Sequence, residues 1–239
     1  LRWHSVQQAI IEGIDITNII KVEKYEKPVP GAMAGIAKSH FPSFVPKSDE
    51  PRIQSNPELI EESKDKIFYL TLKCDGTSSS YINKDGVIDI CSRNFSILEG
   101  ENMYWTMAKK YNIIEKLNTI GNYAIQGEIC GPGVQKNPMK LKELKLFVFS
   151  IFDINIRRYL DFDKFKEFCN NQQLETVPMI NENIVFDFTM PQLIEIAKGK
   201  YEGTDNFREG IVFRPIKETY SAVLKSRLSF KVMNNDYSD

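Results

Sequence analysis

The stretch Ile67-Phe68-Tyr69-Leu70-Thr71-Leu72-Lys73-Cys74-Asp75-Gly76 is an apolar, β-prone run that ends in a lysine, a carboxylate and a tight turn. Such a run reads as a strand with no wet face, and its end carries the lysine amine to the point where the strand stops. An amine held there, beside a carboxylate able to hold a cation or its water shell, is placed to attack a phosphate. To do so it must lose its proton, so its pKa must fall from about 10.4 through desolvation, a second cation, or both. Taken alone, Lys73 to Gly76 reads more readily as a lysine followed by an Asp-Gly turn at a strand end. Its reading depends on the rest of the chain.

Further apolar runs at Val87 to Cys91, Tyr123 to Cys130, Leu146 to Ile154, Gly210 to Phe213 and Leu228 to Met233 also read as strands. Asn83-Lys84-Asp85-Gly86 lies between Tyr81-Ile82 and Val87-Ile88 and makes a hairpin turn, with Asp-Gly supplying the positive φ angles. Tyr104, Met107, Ala108, Tyr111, Ile114 and Leu117 recur at helical spacing up to Gly121. Phe162, Phe165, Phe168 and Cys169 form a second stripe behind Asp161, and Leu193, Ile194 and Ala197 a third between Thr189 and Gly199. These stripes are core faces rather than ligand sites. Strands gathered around a site with helices packed outside give an α+β domain.

The 239 residues, 42% of them hydrophobic, suffice for one large domain, and no Ser/Gly/Pro-rich linker divides them. A net charge of -1 argues against wholesale coating of nucleic acid and leaves room for a local basic groove. Lys225, Arg227 and Lys231 make one cluster and Arg157-Arg158 another, the latter equally a solvated charged face. Cys74, Cys91, Cys130 and Cys169 are widely spaced with no nearby histidine, so neither a zinc site nor a disulfide framework is indicated, and a reducing intracellular compartment is expected. No apolar run is long enough to span a bilayer, and no membrane partner is expected. His4 and His40 fit no motif. The start at Leu1 rather than Met points to a piece of something longer.

In chain order after Lys73 come Ser92-Arg93-Asn94, Gln126-Gly127-Glu128-Ile129-Cys130-Gly131-Pro132-Gly133, Phe149-Ser150-Ile151-Phe152-Asp153, Glu209-Gly210-Ile211-Val212 and Ser229-Phe230-Lys231-Val232-Met233. The ordered set resembles the signature of the covalent nucleotidyltransferases, which include RNA ligases, DNA ligases and capping enzymes. Through Gly-Glu-x-x-Gly-Pro-Gly and the Phe-Asp-Ile run it is most similar to ATP-dependent RNA ligases of the RNA ligase 2-like group. The segment from Phe41 to Gln54 is similar to the lead-in of a subgroup with an OB domain ahead of the transferase domain. The resemblance covers the chain from about Val29 to Asp239. It implies a single nucleotidyltransferase domain over 1–239, with 1–30 as a lead-in from an OB domain. The fold it implies is the antiparallel-sheet nucleotidyltransferase fold, with ATP held between two sheets.

The resemblance also implies roles. Lys73 attacks the α-phosphorus of ATP to form lysyl-AMP, the AMP passes to an RNA 5′-phosphate, and a 3′-OH then displaces AMP to seal the strand. Lys231 contacts the α-phosphate, and Asp75, Glu128 and Glu209 hold Mg²⁺ or Mn²⁺ through water, with Asp153 a further contributor. Phe152 stacks on adenine, with Phe149 the alternative ring, and Leu72 and Arg52 complete the nucleotide contacts. Arg93 lies near the ribose and the RNA 3′ end, and Lys225 and Arg227 contact RNA. A monomer acting in RNA repair is expected. The last motif departs from the family pattern, because Met233 stands where a second lysine is often found. A DNA ligase, a GTP-dependent capping enzyme and an RNA-end-binding scaffold without catalysis are the rival readings; nucleotide choice and the substrate 2′-OH separate the first two.

Overall fold

The computed structural model describes residues 29–237. The OB lead-in expected over 1–30 lies almost wholly outside them, as does His4. Residues 29–35 hold one 3-10 turn, Gly31–Met33. From Ile36 onward the elements are β1 (Ala37–His40), a 3-10 turn (Ile53–Ser55), α1 (Leu59–Ser63), β2 (Ile67–Lys73), β3 (Thr77–Lys84), β4 (Val87–Ser92), β5 (Phe95–Ile97), α2 (Met103–Lys110) and α3 (Ile113–Ile120). They continue with β6 (Tyr123–Cys130), β7 (Lys145–Asp153), β8 (Arg158–Tyr159), α4 (Phe162–Asn171), β9 (Met179–Val185), α5 (Met190–Ala197), β10 (Gly210–Pro215), β11 (Tyr220–Ser221), β12 (Ser226–Arg227) and β13 (Phe230–Met233).

Two antiparallel sheets carry the site. The larger runs β1-β5-β4-β3-β6-β7-β8, the smaller β13-β10-β2-β9, and β11 with β12 forms a separate hairpin. The turn from β2 into β3 therefore steps from one sheet to the other at Lys73 to Gly76. A side chain on Gly76 would run into the Cys130 sulfur at 2.7 Å and the Ile129 carbonyl, so glycine lets the turn lie against β6. One face of the smaller sheet is sealed by Phe68, Phe186, Phe213 and Phe230 with Leu59 of α1 and Leu193 and Ala197 of α5. Burial on that face leaves the opposite face to make the site.

The helical stripe from Tyr104 to Leu117 is two helices rather than one. Asn112 adopts a left-handed φ of 50° between α2 and α3, a conformation that asparagine tolerates. Asp161 precedes α4 but makes no cap hydrogen bond; its carboxylate instead accepts from the Glu218 N–H at 2.8 Å and meets Lys217 at 3.3 Å. Thr189 and Gln192 form a capping box at α5. The turn at Asp85 and Gly86 has φ of 54° and 83°, as a two-residue hairpin requires. All four cysteines are free and buried, and among the described residues no helix is long and apolar enough to cross a membrane.

Candidate active site

The registers bring the motif residues together. Gly210 pairs with Lys73 on one side and Met233 on the other, and Val212 pairs with Thr71 and Lys231. Glu209, one residue before Gly210, thus lies beside Lys73. Gly210 is held at a φ of 155°, and a Cβ there would overlap the Val232 carbonyl, so only glycine lets β10 and β13 approach this closely. A cavity of about 300 Å³ opens where the two sheets face each other. Its walls include Leu72, Lys73, Asp75, Arg93, Glu128, Phe149, Glu209 and Lys231.

The Lys73 amine donates to Glu209 Oε2 at 3.0 Å and to the Cys74 carbonyl at 3.2 Å. Tyr201 fixes the backbone on both sides, its hydroxyl donating to the Lys73 carbonyl at 3.2 Å and accepting from the Glu209 N–H at 3.3 Å. The expected fall in the lysine pKa is not what the free site produces. Burial works to lower it, but the carboxylates of Glu128 and Glu209, with the Glu209 hydrogen bond, outweigh burial and hold the amine above the ordinary lysine value. Burial, and then the neighbouring charge of Lys73, lowers the Lys231 amine. Burial pushes the Glu128 carboxyl up to about 7; Lys73 opposes the shift, and Glu209 and Asp75 add to it.

Asp75 accepts a 2.6 Å hydrogen bond from the Tyr237 hydroxyl. Among the described residues no three carboxylate, thiol or imidazole groups are placed to hold a metal ion directly. The expected four-carboxylate set is corrected on one member: Asp153 caps the turn after β7, accepting from the N–H groups of Asn155 at 2.9 Å and Ile156 at 3.3 Å, and does not line the cavity. Asp75, Glu128 and Glu209 do line it together, and these hard-oxygen groups suit a hydrated divalent cation. Burial first, and then the neighbouring Glu209 and Asp75, keep the Glu128 carboxyl raised, and a cation among the three would oppose that shift.

A lysine at a strand end, carboxylates around it and a second lysine two strands away on the same sheet are the parts of a covalent nucleotidyltransferase site. The RNA ligase family model matches residues 66–233. The chain belongs to the RNA ligase family. Among solved structures it is similar to Naegleria gruberi RNA ligase as a lysine-to-alanine mutant with ATP and Mn, at 30% identity and a TM-score of 0.77, over 93% of this chain and 65% of that one. The same ligase with PPi matches at 30% identity and 0.77, over 95% and 67%, and its lysine-to-methionine mutant with AMP and Mn at 30% and 0.77, over 93% and 66%. The chain thus spans slightly less than two thirds of the first of these. No curated protein sequence matches it. The fold is the antiparallel-sheet nucleotidyltransferase fold of the RNA ligases.

Within this RNA ligase fold, other expected residues fall in different places. Phe149 is half-buried and lines the cavity, whereas Phe152 is 3% exposed, packs at 5.1 Å against Tyr159 and is absent from the cavity wall. The cause is a β-bulge. Gln126 pairs with Ser150 but Gly127 with Val148, so Phe149 is the unpaired extra residue of β7 and its ring is re-aimed. Arg93 lines the cavity and pairs with Asp49. Arg52 is exposed and bridges β13 through its backbone beside Lys231 without lining the cavity. Lys225 is exposed in the turn between β11 and β12. Arg227 is held by Glu218 at 2.9 Å and Ser150 at 3.1 Å and lines a second cavity. Met233 follows Lys231 at same-face spacing, its backbone held by Gln54 at 3.1 Å.

Sequence reasoning missed Ser48, Asp49, Glu50, Thr71, Val212 and Arg214, all on the cavity wall. The segment from Phe41 to Gln54 carried a signal, but Ser48, Asp49 and Glu50 rather than Arg52 are its members on the cavity wall. Val212 and Arg214 were findable by alternation, since they share a face of β10. Arg214 is 3% exposed, pairs with Glu50 at 2.8 Å and lies 5.6 Å from the Phe149 ring centre.

Proposed function

We propose that this chain is the lysine adenylyltransferase domain of an ATP-dependent RNA ligase. The observation that carries the reading is Lys73 at a strand end, 3.0 Å from Glu209, in a cavity whose wall also holds Lys231, two strands away on the same sheet, and Phe149. The ATP, AMP, PPi and Mn found with Naegleria gruberi RNA ligase support it. Adenine would lie between Phe149 and Val212, with the triphosphate directed at Lys73. Stacking on the ring is worth about 1–3 kcal/mol. With Glu209 and Glu128 engaged by a cation, the ammonium would no longer be held by their charge and would give its proton to solvent. The Lys73 nitrogen then forms a P–N bond to the α-phosphorus as the bond to pyrophosphate breaks. Lys231 neutralises charge that builds on the α-phosphate oxygens.

Asp75, Glu128 and Glu209 would hold Mg²⁺ or Mn²⁺ or its water shell, whose charge offsets phosphate charge and frees the amine from its carboxylates. Transfer of AMP to an RNA 5′-phosphate breaks the P–N bond and makes a phosphoanhydride, and attack by a 3′-OH releases AMP and seals the strand. Arg93 at the cavity edge has the planar fork to meet a ribose or terminal phosphate. On this reading the protein works as a monomer inside the cell, and an OB domain belongs to the longer protein. The test is incubation with α-labelled ATP or GTP and Mg²⁺ or Mn²⁺, with Lys73→Ala in parallel. Covalent label from ATP that is lost in the mutant is expected. Label from GTP would reassign the chain to capping, and no label in a folded sample would favour the scaffold reading.

A further inference from the structure

A second cavity, of about 450 Å³, adjoins the first and shares Ser48, Asp49, Glu50 and Phe149 with it. Its lining is divided. On the inner side are Phe149, Phe152 and Tyr159, the last overlaid by the Arg227 guanidinium at 3.8 Å. At the outer side stand Tyr220, 68% exposed, and the exposed cations Lys47, Arg157 and Arg158. The anions of this wall are already matched: Glu218 pairs with Arg227 at 2.9 Å, Glu50 with Arg214 at 2.8 Å, and Asp49 with Arg93. Among the described residues, Lys47 donates to the neutral side-chain oxygen of Asn94, at 2.8 Å, and neither Lys47 nor Arg157 has a charged partner. Arg158 is engaged by Asp161 at 3.8 Å and the Glu218 carbonyl at 2.9 Å, so Lys47 and Arg157 are the uncompensated cations of the mouth among the described residues.

We infer that this cavity is a nucleotide subsite for the RNA strand, taking one base against its aromatic wall and the flanking phosphates on Lys47 and Arg157. The inference rests on the RNA ligase reading above. An aromatic floor with cations at the rim is the chemistry that holds single-stranded nucleic acid, because every base has a π-face and every linkage a negative charge. The exposed Lys47 and Arg157 at the rim offer charge for phosphates beyond the bound base, which a free nucleotide does not need. The shared wall at Phe149 places that base next to the adenosine site, so the subsite would orient an RNA end towards the adenylate.

The experiment uses the full chain and a 5′-phosphorylated 12-nucleotide single-stranded RNA, with affinity read by fluorescence anisotropy across a salt series. Lys47→Gln/Arg157→Gln is expected to weaken binding about tenfold and to reduce the salt slope by about 1.4, at about 0.7 for each phosphate left without its cation. Tyr220→Ala is expected to weaken binding about tenfold with the slope unchanged. Lysyl-AMP formation from ATP should stay at the wild-type rate in both. Unchanged affinity and slope in both variants overturns the subsite. UMP binding as tightly as the RNA, and lost in the same variants, overturns the RNA assignment in favour of a free nucleotide. If the wild-type chain forms no lysyl-AMP while the salt slope still falls, the adenylyltransferase reading fails and the RNA subsite stands.

Discussion

Lys73 faces a conflict that decides how the site must work. The carboxylates that would hold a cation also hold the amine protonated, so the free protein stores its nucleophile as an ammonium. Removing one carboxylate charge should relieve this. In Glu209→Gln the amine loses the negative charge of the acceptor it meets at 3.0 Å, keeping at most a neutral amide oxygen there, so its pKa falls. Modification of Lys73 by an amine-reactive probe, mapped by mass spectrometry without metal, should then reach half-maximum at a lower pH than in the wild type. Adenylylation should fall nonetheless, by about 100-fold or more, because a cation ligand is gone. An unchanged probe profile would mean that Glu209 does not control the amine. Lys73→Arg, which keeps the charge without the nucleophile, should show no label from ATP at all.

At the scale of elements, the bulge in β7 separates two phenylalanines that sequence alone treats as alternatives. Phe149→Ala should raise KM for ATP by about 5- to 150-fold, the loss of one stacked ring, with little change in Tm. Phe152→Ala should do the reverse, costing about 3–5 kcal/mol of stability through a cavity against Tyr159 while the KM for ATP stays near wild type. Thermal melts and adenylylation kinetics on the two variants separate the roles. The same element shows what was legible. Strands β2, β6, β7, β10 and β13 could be read because their apolar runs are continuous, and Lys73, Glu128, Glu209 and Lys231 because they punctuate those runs. The bulge could not be read, since one unpaired residue in a run of apolar residues leaves no trace in composition. Strand β9 was also missed, because Asn181, Glu182 and Asn183 make it a polar edge with no alternation to find. The break between α2 and α3 was hidden because the apolar spacing continues through Asn112.

Across the whole molecule, two carboxylates at the site pull stability in opposite directions with pH. Burial raises the Glu50 carboxyl, but Arg214 and then Arg227 outweigh it and hold the group below its ordinary value. A folded state that binds this proton less tightly than the unfolded chain gains stability that is full above about pH 4.5 and lost as pH falls through the folded value. Glu128 is the reverse case, with its pKa raised from 4.5 to about 7. Between those values the folded state holds more protons than the unfolded one, so stability declines as pH rises. Melting curves from pH 4 to pH 8 should therefore separate two variants. Glu128→Gln should match the wild type near pH 4 and melt a few degrees higher at pH 8, where the wild-type carboxylate is buried in charged form. Glu50→Gln should melt about 10 °C lower at pH 8, because Arg214 is left buried without its partner, and the deficit should narrow towards pH 4. A stabilised Glu128→Gln that no longer forms lysyl-AMP would identify this residue as one whose cost to the fold is the condition of its function; equal melting of Glu128→Gln and wild type at pH 8 would show that the carboxylate carries no such cost.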